Sequence, residues 1–289
     1  MSKLKAFLLV AGAVVVSAVV AGAVGAGAAV ALVKQAYNGP IRSDADQELV
    51  IHSDILGEDV VLQVRLPRAY SGGADPGFPV LWVLDGRSQS GQLARIADTM
   101  AEVDLLPPVI VVGVPHSGAG RTSDFVHPGE RFDRQEGQAD RFLEFLEDEA
   151  IPAIDAAYST SPERLIAGHS LGALFVTYAM LRRSELFDGH LAFSPSYWVS
   201  DRALVEDLEV FFGGTAVFGE HSFFYASLGS NEGWEMEESF EAAKAVFEES
   251  APDNLTWEMT ITEGADHGDN PELSAAKALR AYGDFAAGQ

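Results

Sequence analysis

The residues best able to do chemistry in this 289-residue chain stand in a row, Gly168-His169-Ser170-Leu171-Gly172. A serine with a glycine two positions to either side is the pattern of a nucleophile raised on a tight strand-to-helix turn. Each glycine is expected where a Cβ would strike the neighbouring strand or helix. At ordinary glycine contents such a pattern arises by chance about 0.1–0.2 times in a chain of this size, so alone it decides little. The surroundings decide more. Arg164 to His169 reads as a short buried strand, and Ala173 to Leu181 as a buried helix.

A serine hydroxyl attacks well only when a base takes its proton. Three histidines follow Ser170. His190 begins an apolar strand, and His221 precedes one, at the wrong end for a site on the carboxyl edge of a parallel sheet. His267 lies in Glu263-Gly264-Ala265-Asp266-His267-Gly268-Asp269, directly after the last expected strand, and is the expected base. Glu232 is the first carboxylate past the strand 223–229 and is expected to orient His267. Glu235, Glu237 and Glu238 are rivals that fit the exposed first turn of a helix equally well, and a dyad with no acid stays open. The backbone N–H of Leu171 is expected to bind an oxyanion, with a second donor near Gly86 or Arg87 after the strand 79–85. Asp85 reads as fixing that turn. The segment 115–140, rich in Gly, Arg and Asp, is expected to border the pocket. Within it Arg121 and Asp124 are candidates for substrate contact, or for pairing with each other to hold the loop. With no cysteine there is no thiolate, and no metal or organic cofactor is implied.

Positioning these residues requires a sheet with its strands in register. From Glu48 onward apolar runs alternate with helical spacing: 48–54, 59–67, 79–85, 107–115, 164–169, 190–196, 223–229 and 255–263 read as strands. Helices are expected around 137–157, 173–181, 235–249 and 271–287. The pattern predicts an α/β fold, with a mainly parallel central sheet, helices on both faces, and an antiparallel edge hairpin turning at Gly57. Its catalytic domain would span 48–289.

The chain carries 43 acidic against 19 basic residues, a net charge of −24. So acidic a surface repels polyanions, which argues against nucleic acid as a partner. Residues 6–33 hold no charge over 28 positions, follow Lys3 and Lys5, and precede Lys34. That length spans a bilayer core, and small-residue triplets such as Ala26-Gly27-Ala28 also suit signal cleavage. Residues 1–34 are therefore expected to be a signal peptide or a membrane anchor, with 35–47 as a linker. Either way the body would be periplasmic or secreted and would meet the membrane only through its N-terminal segment.

With those residues placed, the sequence resembles the esterase D/putative esterase family of α/β hydrolases. The resemblance rests on RLPRAY, FPVLWVLDG, VVGVPHSGAGRTSDFVHP, RLIAGHSLGALFVTYAM, LFDGHLAFSPSYW, SLGSNEG and GADHGDNP, in the family's order across most of 48–270. FSPSYW and the Arg121/Asp124 loop are similar to the branch of periplasmic siderophore trilactone esterases. Ala173 departs from the family's more usual second glycine. The resemblance implies an α/β-hydrolase fold and a small-molecule ester as partner. It also implies a serine carboxylic-ester hydrolase using Ser170 and His267 through an acyl-enzyme. Acyl transfer to an alcohol, as in secreted mycolyltransferases, is the first rival. An inactive binding protein on the same scaffold is the second.

Overall fold

The computed structural model describes residues 46–214, 218–219 and 222–288. The signal or anchor expected over 1–34, nearly all of the linker, and His221 lie outside the described residues. Among the described residues no helix is long and apolar enough to cross a membrane.

Strands β1 (Asp46–Ser53) and β2 (Glu58–Arg65) form the expected antiparallel hairpin. Gly57 closes it in the left-handed region, at φ 75°, where a side chain would be strained. β2 alternates buried Val60, Leu62 and Val64 with partly exposed neighbours, as a strand with one covered face must. Then come β3 (Phe78–Leu84), helix α1 (Gly86–Ala101), β4 (Ile110–Val114) and the short α2 (Arg121–Phe125). A two-residue hairpin of β5 (Arg131–Phe132) and β6 (Gln135–Glu136) turns through Asp133 and Arg134, both at positive φ.

Helices α3 (Ala139–Phe145) and α4 (Ile151–Ala157) are joined through a π turn over Leu146–Ala150. Pro152 follows that turn and has no N–H to donate four residues back, which accounts for the break in the α pattern. The chain continues through β7 (Thr160–His169), α5 (Leu171–Arg182), β8 (Gly189–Phe193), α6 (Ala203–Gly213), β9 (Ser222–Gly229), α7 (Trp234–Ser250), β10 (Leu255–Thr262) and α8 (Asn270–Ala287).

The eight strands lie in the order β1-β2-β4-β3-β7-β8-β9-β10. β2 is antiparallel to both its neighbours, and every other pairing is parallel. Only β2 therefore runs against the rest. Side chains of the central strands divide between two cores. Val80, Trp82 and Leu84 of β3 join the layer that holds α3 to α7, and Leu81 and Val83 join the layer under α1 and α8. Buried on both faces from Pro79 to Leu84, β3 is apolar at every position.

Three helices escape the sequence reading, α1, the short α2 and α6. The buried positions of α1 are Gly86, Ser90, Leu93, Ala97 and Met100. Their spacing is helical, but three are too small or polar to register as an apolar stripe. Close approach explains the first of them. A Cβ on Gly86 would lie 2.3 Å from the backbone of Gly113 in β4.

After β3 the chain moves outward to β4 and then crosses back to β7 on the other side of β3. Clefts in open α/β sheets form at the carboxyl ends of strands where the order reverses in this way. Asp85 and Gly86 follow β3 there, and Ser170 follows β7.

Candidate active site

Ser170 sits between β7 and α5 with φ 61° and ψ −119°, a conformation that L residues rarely adopt. Two backbone bonds hold it. Ser170 N–H donates to the Phe193 carbonyl at 3.0 Å, and Leu174 N–H donates to the Ser170 carbonyl at 3.0 Å. The flanking glycines are not equivalent. A Cβ on Gly168 would come within 2.4 Å of the Gly172 carbonyl oxygen, whereas one on Gly172 would meet nothing nearer than Asp85 Oδ2 at 3.5 Å. Collision was expected at both positions and occurs only at Gly168.

The loops after β9 and β10 bring Glu232 and His267 to this turn. His267 Nε2 is 3.0 Å from Ser170 Oγ, and His267 Nδ1 is 2.7 Å from Glu232 Oε2. A carboxylate only accepts, so Nδ1 carries the proton and Nε2 is left to accept from the serine hydroxyl. Glu232 has a side chain only 1% exposed, against 43% for His267. Its other oxygen, Oε1, accepts from Ser194 Oγ at 2.6 Å and from Gly229 N–H at 2.7 Å. Burial pushes this carboxyl up, but the bonds from His267, Ser194 and Gly229 outweigh it and hold the group below its ordinary range. Ser194, itself at φ 48°, is oriented by Asn270 Nδ2 at 2.8 Å. The carboxylate bonded to His267 is Glu232 and not a rival: Glu235, Glu237 and Glu238 lie in the first turns of α7, and Glu238 pairs with Arg202 at 2.8 Å.

Ser170 and His267 open into a cavity of about 460 Å³. Phe132, Trp198, Trp234 and Met236 give it an apolar wall, with Arg121 and Glu235 as its charged members. Ser196 also lines it, buried, with Oγ 3.2 Å from Ser170 Oγ. Leu171 borders the cavity as the first residue of α5, where backbone N–H groups have no acceptor within the helix. Gly86 is not in this wall, and Arg87 lines a neighbouring cavity with Asp85 and His116.

Arg121 and Asp124 do not pair with each other, contrary to one sequence expectation. Arg121 Nε donates to Asp85 at 2.9 and 3.1 Å, and Nη2 donates to the His169 carbonyl at 2.8 Å. Asp85 thus does more than shape its turn. Asp124 is buried and accepts from Ser117 N–H at 2.5 Å and Ser117 Oγ at 2.7 Å, outside the cavity wall. One helical turn separates Arg121 from Asp124, yet α2 turns the first toward β3 and β7 and the second toward its own loop.

A family model described as "Putative esterase" matches residues 53–281, which is most of the chain. The chain belongs to this esterase family. Among curated relatives of the family, the chain is 33% identical over 142 residues to the ferri-bacillibactin esterase BesA of Bacillus subtilis. That match covers 42% of this chain and 49% of the relative. It is 26% identical over 186 residues to the siderophore triacetylfusarinine C esterase of Aspergillus fumigatus, covering 60% of this chain and 63% of that protein. The chain thus spans about half to under two thirds of these two relatives. In fold it is similar to the BES protein from Bacillus cereus, with a TM-score of 0.72 and 22% identity over 84% of this chain and 97% of that one.

Sequence reasoning missed Ser194, Ser196 and Asn270 as parts of the site, together with the aromatic wall. The segment FSPSYW carries two of those serines and Trp198, but a lone serine after a strand has no spacing signature that marks it.

Proposed function

We propose that this chain is an exported serine carboxylic-ester hydrolase. The observation that carries this reading is the unbroken hydrogen-bonded line from Glu232 through His267 to Ser170 Oγ, opening into the aromatic-walled cavity. In the proposed reaction His267 Nε2 takes the Ser170 proton as Oγ attacks the ester carbonyl carbon. The negative charge that develops on the carbonyl oxygen meets the Leu171 N–H at the start of α5. A second N–H is drawn from Gly86 or Arg87, which follow β3, the strand paired with β7; neither residue lines the cavity, so this donor rests on the strand pairing alone. His267 then returns its proton to the departing alkoxide, leaving Ser170 acylated. Water deprotonated by His267 releases the acid and restores the serine. Glu232 stays ionised throughout and stabilises the imidazolium.

The substrate we favour is the ester of a bulky, ring-bearing acid of the siderophore class. The wall of Phe132, Trp198 and Trp234 offers planar apolar faces, and the two matched relatives are named as a ferri-bacillibactin esterase and a siderophore triacetylfusarinine C esterase. Export rests on the charge-free run 6–33 behind Lys3 and Lys5.

A fluorophosphonate probe should label the wild-type protein and leave Ser170→Ala unlabelled. The same variant should lose essentially all turnover of short p-nitrophenyl esters, feruloyl esters and siderophore lactones. Labelling that persists in Ser170→Ala overturns the nucleophile. Absence of both labelling and turnover in the wild type favours a binding scaffold.

A further inference from the structure

His169 precedes the nucleophile, and the reaction as written gives it nothing to do. Its ring lies mostly buried beside His267, with centroids 4.7 Å apart, and its Nε2 is 2.7 Å from the His267 carbonyl oxygen. A carbonyl only accepts, so Nε2 carries the proton and donates. Three charged or titratable groups face this ring: His267, Arg121 and Glu232. Burial first, then the neighbouring His267, lower its pKa to about 4, so the ring is a neutral donor near neutral pH.

The placement of this bond in the sheet gives it meaning. β7 and β10 are separated by β8 and β9, so the strands carrying Ser170 and the His267 loop run about 14 Å apart. The loop must reach across that gap. Its other described tethers run to the loop after β9, from His267 Nδ1–H to Glu232 Oε2, from Asn231 N–H to Ala265 O, from Asn231 Nδ2 to Gly264 O, and from Gly264 N–H to Ser230 Oγ. Among the described hydrogen bonds, only His169 Nε2–H joins the base loop to the nucleophile strand, apart from the reacting pair itself. Its backbone is fixed in turn, since Arg121 holds the His169 carbonyl and is anchored on Asp85.

We propose that His169 is a positioning residue. Its Nε2–H ties the His267 backbone to the end of β7 and so sets the distance between base and nucleophile. The proposal rests on the ester-hydrolase reading for its effect on rate, but the tether itself can be measured without turnover. Two substitutions separate the donor from mere bulk: His169→Phe keeps a ring and removes the donor, and His169→Gln supplies an amide N–H at a similar reach.

Amide hydrogen exchange over residues 264–269 reads the tether, with circular dichroism and thermal midpoints confirming that each variant is folded. Exchange should accelerate in His169→Phe and return toward wild type in His169→Gln. The rate of fluorophosphonate labelling and kcat should fall about tenfold to a hundredfold in His169→Phe, with KM little changed. His169→Gln should recover most of that loss. Unchanged exchange in His169→Phe overturns the tether. Faster exchange with an unchanged labelling rate overturns its role in positioning the base, and equal rate losses in both variants reduce His169 to packing. A wild-type protein that neither labels nor turns over refutes the hydrolase reading instead, while exchange still decides the tether.

Discussion

Glu232 combines a side chain 1% exposed with three hydrogen bonds to its two oxygens, and its ionised form is the one those donors favour. Its charge, rather than its shape, is what an imidazolium at His267 would use. Glu232→Gln keeps the shape and removes the charge, so kcat should fall by about 10²–10⁴-fold with KM little changed, as steady-state kinetics can check. The sign of its effect on stability follows from its lowered pKa. The contribution is complete above the carboxyl's unfolded value and is lost as pH falls through the folded one. Ser194 and Asn270 support the same oxygen from behind, so the acid is held from three elements at once.

At the scale of the element, the turn between β7 and α5 depends on one glycine more than the other. A methyl group on Gly168 would overlap the Gly172 carbonyl, and relief requires moving either the strand or the helix. Gly168→Ala should cost about 1–3 kcal/mol of stability and depress turnover with it. Gly172 lies inside α5 with room for a Cβ, where alanine is the better helix former by about 0.5–1 kcal/mol. Gly172→Ala should leave the thermal midpoint equal or higher. Paired thermal melts test the asymmetry, and equal losses in the two variants would refute it. α5 tolerates no polar face, since every residue from Leu171 to Met180 is buried, which makes it the axis of the larger core.

For the whole molecule, pH and salt act on charges that the fold has placed. His190 in β8 is fully buried, and burial lowers its pKa to about 4, well below the ordinary value near 6.5. Between those values the unfolded chain binds a proton that the folded chain refuses. Stability is therefore complete above about pH 6.5 and declines as pH falls toward 4, by up to about 3 kcal/mol for this one group. His169 acts in the same direction. Chemical denaturation across that window should show the decline, and His190→Leu should flatten part of it. The 24-charge excess of carboxylates acts differently. Repulsion among exposed acids is screened over about 10 Å at 0.1 M salt and about 3 Å at 1 M. The thermal midpoint should accordingly rise with NaCl over that range; a flat or falling midpoint would show that the acidic surface imposes no strain.

What the sequence determined by itself was whatever local pattern encodes. Strands buried on both faces favour apolar residues throughout, so β3 and β4 were legible as runs, and the hairpin β1–β2 as a Gly-turned pair. Ser170 was legible because a tight strand-to-helix turn demands Gly168 within two residues of it. His267 and Glu232 were legible because each follows a readable strand at its carboxyl end. Helix α1 was not, because close packing of Gly86 and Ser90 on β4 made its buried face small rather than apolar. Partner choice was not legible either. Arg121 reaches Asp85, 36 residues earlier, and not Asp124, and His169 reaches a carbonyl 98 residues on. Such pairings depend on which strands become neighbours and how their loops cross. That information exists only once the sheet has closed over its two cores.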